Sequence, residues 1–221
     1  MTSITAYVNT LSQPCRTVLF ALKKLGLEFE QKDLHFPKDI KAKEYVTKIN
    51  PLGKVPAIEI DGTPITESSV IVKYLFDKFD PNEVLLPRTD LLKRVKVEEF
   101  LDISGTHIRP AFTKALFPIV FGPKMMGLKA PSKETVEELT NGVHKALKDL
   151  ESFLDGNKYV TGDDFTIADA QLYFEAQNVI TFMKIDLKDY PNIVAWNELV
   201  GSDSAIAEVD KSFYELLESM K

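Results

Sequence analysis

Residues 50–69, NPLGKVPAIEIDGTPITESS, decide how the first part of the chain is read. Two prolines and a glycine shape the loop from Asn50 to Pro56, and Val55 to Ile60 then alternates apolar residues as a strand does. Asp61-Gly62 is a turn pair, and Thr63 to Ile65 returns, so the segment predicts a β-hairpin. Thr66-Glu67-Ser68-Ser69 opens a helix that runs to Phe79 with Val70, Ile71, Tyr74 and Leu75 on one face. Pro56 has no N–H to give a ladder, so it marks a sheet edge or a tight turn open to the cis isomer, and an open edge can accept an extended peptide.

Working back toward the start, Ile4 to Val8 is β-branched and aromatic and predicts a strand. Pro14 opens a helix as a first-turn proline can, with an apolar stripe of Cys15, Val18, Leu19, Leu22 and Leu25 and a stop at Gly26. Phe29 to Leu34 predicts a second strand and Ala42 to Ile49 a weaker helix, which makes the order β-α-β-α-β-β-α. Working forward, residues 80–90, DPNEVLLPRTD, collect turn formers between two periodic segments and read as a linker. Beyond it no strand-like alternation occurs. Glu99 to Phe117 and Val136 to Leu154 are periodic at steps of three and four, and Phe117 to Ser132, rich in Pro, Gly and Met, reads as a lid or mobile connection. Thr166-Ile167-Ala168-Asp169 is the acidic form of a capping box and predicts a helix start. A last helical pair covers Asn192 to Leu199 and Ala205 to Met220, with Trp196 in the core. The expected fold class is therefore α/β followed by all-α, with one domain over residues 1–80, a linker over 81–90 and a helical domain over 91–221.

Composition limits the function. With 44% hydrophobic and 27% charged residues in 221, the chain has enough apolar material for a core. Residues 1–80 carry 11 basic and 10 acidic side chains and the rest 16 and 23, so the net charge of −6 sits in the second part. That sign is wrong for tracking nucleic-acid phosphates. One cysteine, Cys15, excludes an intrachain disulfide and a cysteine zinc site, and His35, His107 and His144 are too far apart for a helical metal motif, so no metal is expected. No stretch reaches the ~20 apolar residues of a membrane span, and Met1 to Asn9 lacks the pattern of a secretory signal, so a cytoplasmic protein is expected. A G-x-S-x-G, a P-loop and a G-x-G-x-x-G are all missing, which removes support from hydrolase, kinase and dehydrogenase readings.

Four local features carry chemistry. Ser12-Gln13-Pro14-Cys15-Arg16 puts a hydroxyl and a thiol at a helix start, where backbone donors favour an anion. Read plainly, Ser12 is only a cap and Cys15 only a small buried residue. The 50–56 loop offers a strand edge. Glu67 and Ser68 begin a helix able to hold a carboxylate, or simply to cap it. Lys38, Lys41, Lys43 and Lys54 are carboxylate clamps or solvated surface charges.

Taken together, Ser12-Gln13-Pro14-Cys15-Arg16, Asn50-Pro51 with Lys54-Val55-Pro56, and Thr66-Glu67-Ser68 resemble a cytosolic glutathione transferase, most of all the theta class. The linker, the helical second part and the Thr166–Asp169 box fit that family too. The resemblance implies a thioredoxin-like N-terminal domain that holds glutathione, used as co-substrate with no other cofactor, and a helical domain that receives a small hydrophobic electrophile such as an alkyl halide or epoxide. It implies a cytosolic homodimer, while the charge and hydropathy above lead to the expectation of no nucleic-acid and no membrane partner. Ser12 would activate the thiol, with Arg109 as a second catalytic group near it and Gln13 as a polar contact. Lys41 and Lys54 would hold the glycine carboxylate, and Val55 would pair its backbone with the cysteinyl part beside a cis Pro56. Glu67 and Ser68 would hold the γ-glutamyl end, and Leu11, Ile108, Phe112 and Phe117 would line the electrophile pocket. Tyr7 and Cys15 are the competing candidates for the thiol chemistry. A Cys15-dependent thioltransferase, a dehalogenase and a non-catalytic ligand binder are the competing functions.

Overall fold

A computed structural model describes residues 2–36 and 38–220. The first strands and helices follow the expected order: β1 (Ile4–Val8), α1 (Gln13–Lys24), β2 (Glu30–Asp33), a single 3-10 turn at Asp39–Lys41, α2 (Lys43–Lys48), β3 (Ala57–Ile60), β4 (Thr63–Thr66) and α3 (Ser68–Phe79). The sheet order is β2-β1-β3-β4, with β1 and β2 parallel and the other two pairs antiparallel. This mixed sheet is thioredoxin-like.

Successive side chains of a strand face opposite sides, and each side finds its own cover. Ala57 of β3 joins Ile40, Tyr45 and Ile49 in a buried cluster against which Tyr7, Leu34 and Val55 pack. Helices α1 and α3 pack against each other and bury Val18, Leu19, Phe20, Leu22, Ile71, Val72, Leu75 and Phe76. Each such side chain withdrawn from water contributes on the order of 2 kcal/mol. The expected apolar face of α3 needs one correction: Val70 is 48% exposed, because Ile71 and Leu75 direct the buried stripe through Val72 and Phe76 instead.

The linker is an ordered turn. Glu83, at φ +55°, accepts from the backbone N–H of Arg88 at 2.6 Å and of Thr89 at 2.9 Å, while Arg88 donates to the carbonyls of Asp77 and Asp80. These donors hold the Glu83 carboxyl down to about 2, against an ordinary value of 4.5.

The second part is helical: α4 (Leu91–Ile103), α5 (Arg109–Leu116), α6 (Gly122–Met126), α7 (Lys133–Phe153), α8 (Ile167–Met183), α9 (Pro191–Gly201) and α10 (Ser204–Ser219). Two expectations are corrected here. The first long helix starts at Leu91 rather than Glu99 and is interrupted by a π-helical turn at Ser104–Ile108. Much of the segment from Phe117 to Ser132, expected as a lid or mobile connection between helices, is itself helical, as a π turn at Phe117–Phe121 followed by α6. Pro118 and Pro123 stand in first-turn positions where proline costs no hydrogen bond, so they start helical turns instead of breaking them.

The capping box is present at α8: Asp169 accepts from the N–H and the hydroxyl of Thr166, both at 2.9 Å. The same carboxylate accepts from Val160 N–H and from the indole of Trp196, which is in the core as expected. Burial nevertheless pushes the Asp169 carboxyl above its ordinary value.

The described chain separates into two compact units. One holds the residues up to Leu91 together with those from Ser202 on, the other Leu92–Gly201. Helix α10, adjacent in sequence to the helical part, thus belongs by packing to the sheet-bearing unit. Its reason is local: α10 docks along α1, with Lys24 paired to Asp203 and Lys23 to Glu208.

Candidate active site

Strand register brings the candidate segments to one end of the sheet. Tyr7 pairs with Ala57, and Ala57 with Thr66, so these three form a row across β1, β3 and β4. The residues next beyond that row are the β1–α1 loop with Ser12, the Lys54-Val55-Pro56 approach to β3, and Glu67-Ser68 at the start of α3. Three motifs far apart in sequence therefore emerge at the same end of the sheet because two antiparallel pairings share one register.

The β1–α1 loop is built on Asn9. Its Nδ2 donates to Leu34 O at 2.8 Å, its Oδ1 accepts from Leu11 N–H, and its carbonyl accepts from Ser12 N–H at 2.9 Å. Ser12 is the N-cap residue of α1 with extended backbone (φ −83°, ψ 122°), and its carbonyl accepts from Cys15 and Arg16. Its hydroxyl makes no capping bond. Gln13 is half-buried beside it, while Cys15 is wholly buried. Tyr7 packs its ring on Tyr45, centroids 5.7 Å apart.

The loop before β3 is held from below. Tyr45 and Asn50 both donate to the carbonyl of Lys54, at 2.6 Å and 2.8 Å, and Asn50 also accepts from Leu52 N–H. Burial, with Cys15 and Tyr7 nearby, pushes the Tyr45 phenol far above its ordinary value, so it stays a donor. Gly53 sits at φ +57°, where a Cβ would meet Ile40 O at 2.8 Å and Lys41 Nζ at 3.4 Å. Glycine is needed for the turn and for that close approach, which also brings the ammonium of the exposed Lys41 to Gly53, the residue before Lys54. The Val55–Pro56 peptide bond is cis.

At the third segment Glu67 is exposed and stands at φ +66° with no side-chain capping bond, while Ser68 is buried. A non-glycine residue held in that region costs about 1–3 kcal/mol, a strain that concentrates at ligand sites.

Within the helical unit Arg109 donates from Nε to the wholly buried Glu175 at 2.6 Å. The apolar candidates divide by burial: Ile108 and Phe112 show no surface, Phe117 is 44% exposed and Leu11 half-buried. Sequence reasoning gave no role to Asn9, Tyr45, Asn50 or Glu175. For Asn50 a signal existed, since an Asn two residues before the next free N–H is a known turn former. For Tyr45 and Glu175 none did, because their partners are set by packing. Among the described residues, no group of three or more His, Cys, Asp or Glu is placed to hold a metal ion.

A mixed four-stranded sheet whose inner strand β3 is entered through a cis-proline loop, followed by an all-helical part, defines a thioredoxin-like fold with a helical second part. Residues 7–83 match the glutathione S-transferase N-terminal domain and residues 108–201 the glutathione S-transferase C-terminal domain. Glutathione S-transferase theta-2 of Homo sapiens is 32% identical over 192 residues, 86% of this chain and 77% of that protein. Glutathione S-transferase theta-3 of Mus musculus is 28% identical over 212 residues, 95% of this chain and 84% of that protein. The solved apo structure of human glutathione-S-transferase T1-1 matches with a TM-score of 0.88 at 25% identity, covering 97% of this chain and 89% of that one. The chain belongs to the glutathione S-transferase family, a family of transferases, and is theta-like within it.

Proposed function

We propose that this chain is a glutathione S-transferase that activates the glutathione thiol with the Ser12 hydroxyl and conjugates it to small electrophiles such as alkyl halides or epoxides. The observation that carries the reading is Ser12 itself: a hydroxyl at a helix start, spent on no capping bond, at the sheet end where Val55-Pro56 and Glu67-Ser68 emerge. A free thiol with pKa ~8.5 is only ~3% ionised at pH 7. A hydrogen bond donated to sulfur and a helix start that lower it by ~2 units make about three-quarters of it thiolate, for roughly 2.7 kcal/mol of preference. The thiolate then forms a C–S bond while halide leaves, or while an epoxide C–O bond opens and its oxygen takes a proton.

The other roles follow the same reading. Val55 pairs its backbone with the cysteinyl unit beside Pro56, as in strand addition. Lys41 and Lys54 hold the glycine carboxylate, Glu67 and Ser68 the γ-glutamyl amine and carboxylate, and Gln13 adds a polar contact. Arg109 is the second catalytic group. The division of labour is glutathione on residues 1–80 and electrophile on 91–221, joined by 81–90. The complete burial of Cys15 weighs against a thioltransferase that uses it.

The first turns of α4 expose Leu91, Leu92 and Val95 at 70%, 81% and 58%, an apolar face that favours a homodimer. No helix of the described residues is long and apolar enough to cross a membrane. With the lone cysteine reduced, this agrees with a cytoplasmic enzyme of detoxification.

The test is a glutathione titration combined with thiolate absorbance followed against pH. Binding with a bound-thiol pKa well below ~8.5 supports the enzyme reading. Binding with an unshifted thiol leaves only a ligand binder, and absence of binding removes the proposal.

A further inference from the structure

Arg16 is wholly buried near the start of α1. A buried guanidinium has to place both its donors and its charge. Its Nη1 donates to the carbonyl of Thr10 at 3.3 Å, and its central carbon lies 4.0 Å from the ring centre of Phe213. Thr10 precedes Ser12 by two residues, in the loop closed by the Ser12 N–H bond to Asn9 O. Phe213 belongs to α10, at the other end of the chain.

The contact is one point of a longer seam. Lys24, at the end of α1, pairs with Asp203, the N-cap of α10, and Lys23 pairs with Glu208 further along. Asp203 also accepts from Ala205 N–H at 2.9 Å and Ile206 N–H at 3.3 Å, so the ion pair and the helix start share one carboxylate. Moving back along α1 from Lys24 to Arg16 corresponds to moving forward along α10 from Asp203 to Phe213, an antiparallel docking that ends beneath the Ser12 loop. Packing alone would be served by a methionine or leucine at position 16, with no charge to desolvate. Among its contacts the guanidinium makes two that an apolar chain cannot, a donor to the Thr10 carbonyl and a cation on the Phe213 ring.

We propose that Arg16 and Phe213 are positioning residues for Ser12: the last helix, through its ring on the Arg16 guanidinium, holds the loop carbonyl that sets where the hydroxyl points. This rests on the reading of Ser12 as thiol activator. Neither residue touches glutathione in this scheme. Their loss should therefore spoil activation more than binding, since a hydrogen bond to sulfur depends on a few tenths of an ångström and carboxylate contacts elsewhere do not.

The experiment uses the full chain with Phe213→Leu, Phe213→Tyr, Arg16→Met and Ser12→Ala. Bound-thiol pKa, kcat, KM for glutathione, and amide hydrogen exchange over residues 9–13 are measured for each. The expected result for Phe213→Leu is a bound-thiol pKa about one unit higher, kcat at pH 7 about threefold lower from the smaller thiolate fraction, KM for glutathione nearly unchanged, and faster exchange over residues 9–13. Phe213→Tyr, which keeps a ring for the cation, stays near wild type, and Arg16→Met exceeds Phe213→Leu. If Arg16→Met does not fold, Phe213→Leu still decides the matter.

A folded Phe213→Leu with wild-type thiol pKa and wild-type exchange overturns the positioning role. So does a variant that loses binding and activation in equal measure, as a merely structural residue would. Ser12→Ala separates the two levels. If it raises the thiol pKa while Phe213→Leu does not, the activator stands and the positioning role falls; if Ser12→Ala itself changes nothing, the activator reading falls first.

Discussion

Helices α7 and α8 begin on Ser132 and Thr166, and helices α1 and α3 on Ser12 and Glu67, yet the two pairs use their polar atoms differently. Ser132 accepts from Thr135 N–H at 3.2 Å, and Thr166 donates its hydroxyl to Asp169, which in turn takes the Thr166 N–H. In the sheet-bearing unit neither Ser12 nor Glu67 makes a side-chain capping bond, and Glu67 holds a strained φ of +66°. Residue types suited to capping thus close the helix start in one pair and make no such bond in the other. The same composition at a helix start has no single meaning until its bonds are counted.

The largest expected effect is on the consumed side. Asp169→Ala removes the acceptor of Val160 N–H, Thr166 N–H, the Thr166 hydroxyl and the Trp196 indole at once. Several buried donors without partners should cost about 3 kcal/mol or more, read as a shift in the urea midpoint. A loss below about 1 kcal/mol would break the comparison, because it would mean that the box is not spent on folding.

Next comes a paired measurement. Ser12→Ala should reduce conjugation at pH 7 about 25-fold, the ratio of thiolate fractions for a ~2 unit shift, with the urea midpoint unchanged. Thr166→Ala should do the reverse, costing about 1 kcal/mol of stability with the bound-thiol pKa unmoved. Equal stability losses in the two would show that Ser12 caps after all.

The smallest effect concerns Glu83, another carboxylate spent on its own backbone. Its value is lowered in the folded chain from 4.5 to about 2, so it contributes stability above the unfolded value, and that contribution is lost as pH falls toward about 2. Glu83→Gln should therefore flatten the acid limb of stability between these limits and leave neutral-pH conjugation intact. An acid limb as steep as wild type would show that the linker donors do not discriminate the carboxylate from the amide.

How much was legible in the sequence depends on the range of the forces involved. The hairpin around Asp61-Gly62, the stripe of α1 and the Thr166–Asp169 box were readable because turn chemistry, period and capping act between near neighbours. The π turn at Ser104–Ile108 was not, since it carries no local sequence signal and is set by packing that buries Ser104 and Ile108, with α8 against it. The segment from Phe117 was misjudged for a related reason: its prolines look like breakers in the linear chain but occupy first-turn positions in space. Val70 lost its place on the buried face because one helix can turn its stripe only one way.

From the chain alone came the β-α-β-α-β-β-α order of the first part, the helical character of the second and the residues proposed for the site, all properties of short windows and composition. Tertiary structure alone decided that Tyr7, Ala57 and Thr66 share a row, that Tyr45 and Asn50 converge on one carbonyl, that Cys15 is sealed and that α10 lies on α1. These depend on strand register and helix docking between segments distant in sequence, and such pairings are selected by the total burial and hydrogen bonding of the folded chain rather than by any local preference.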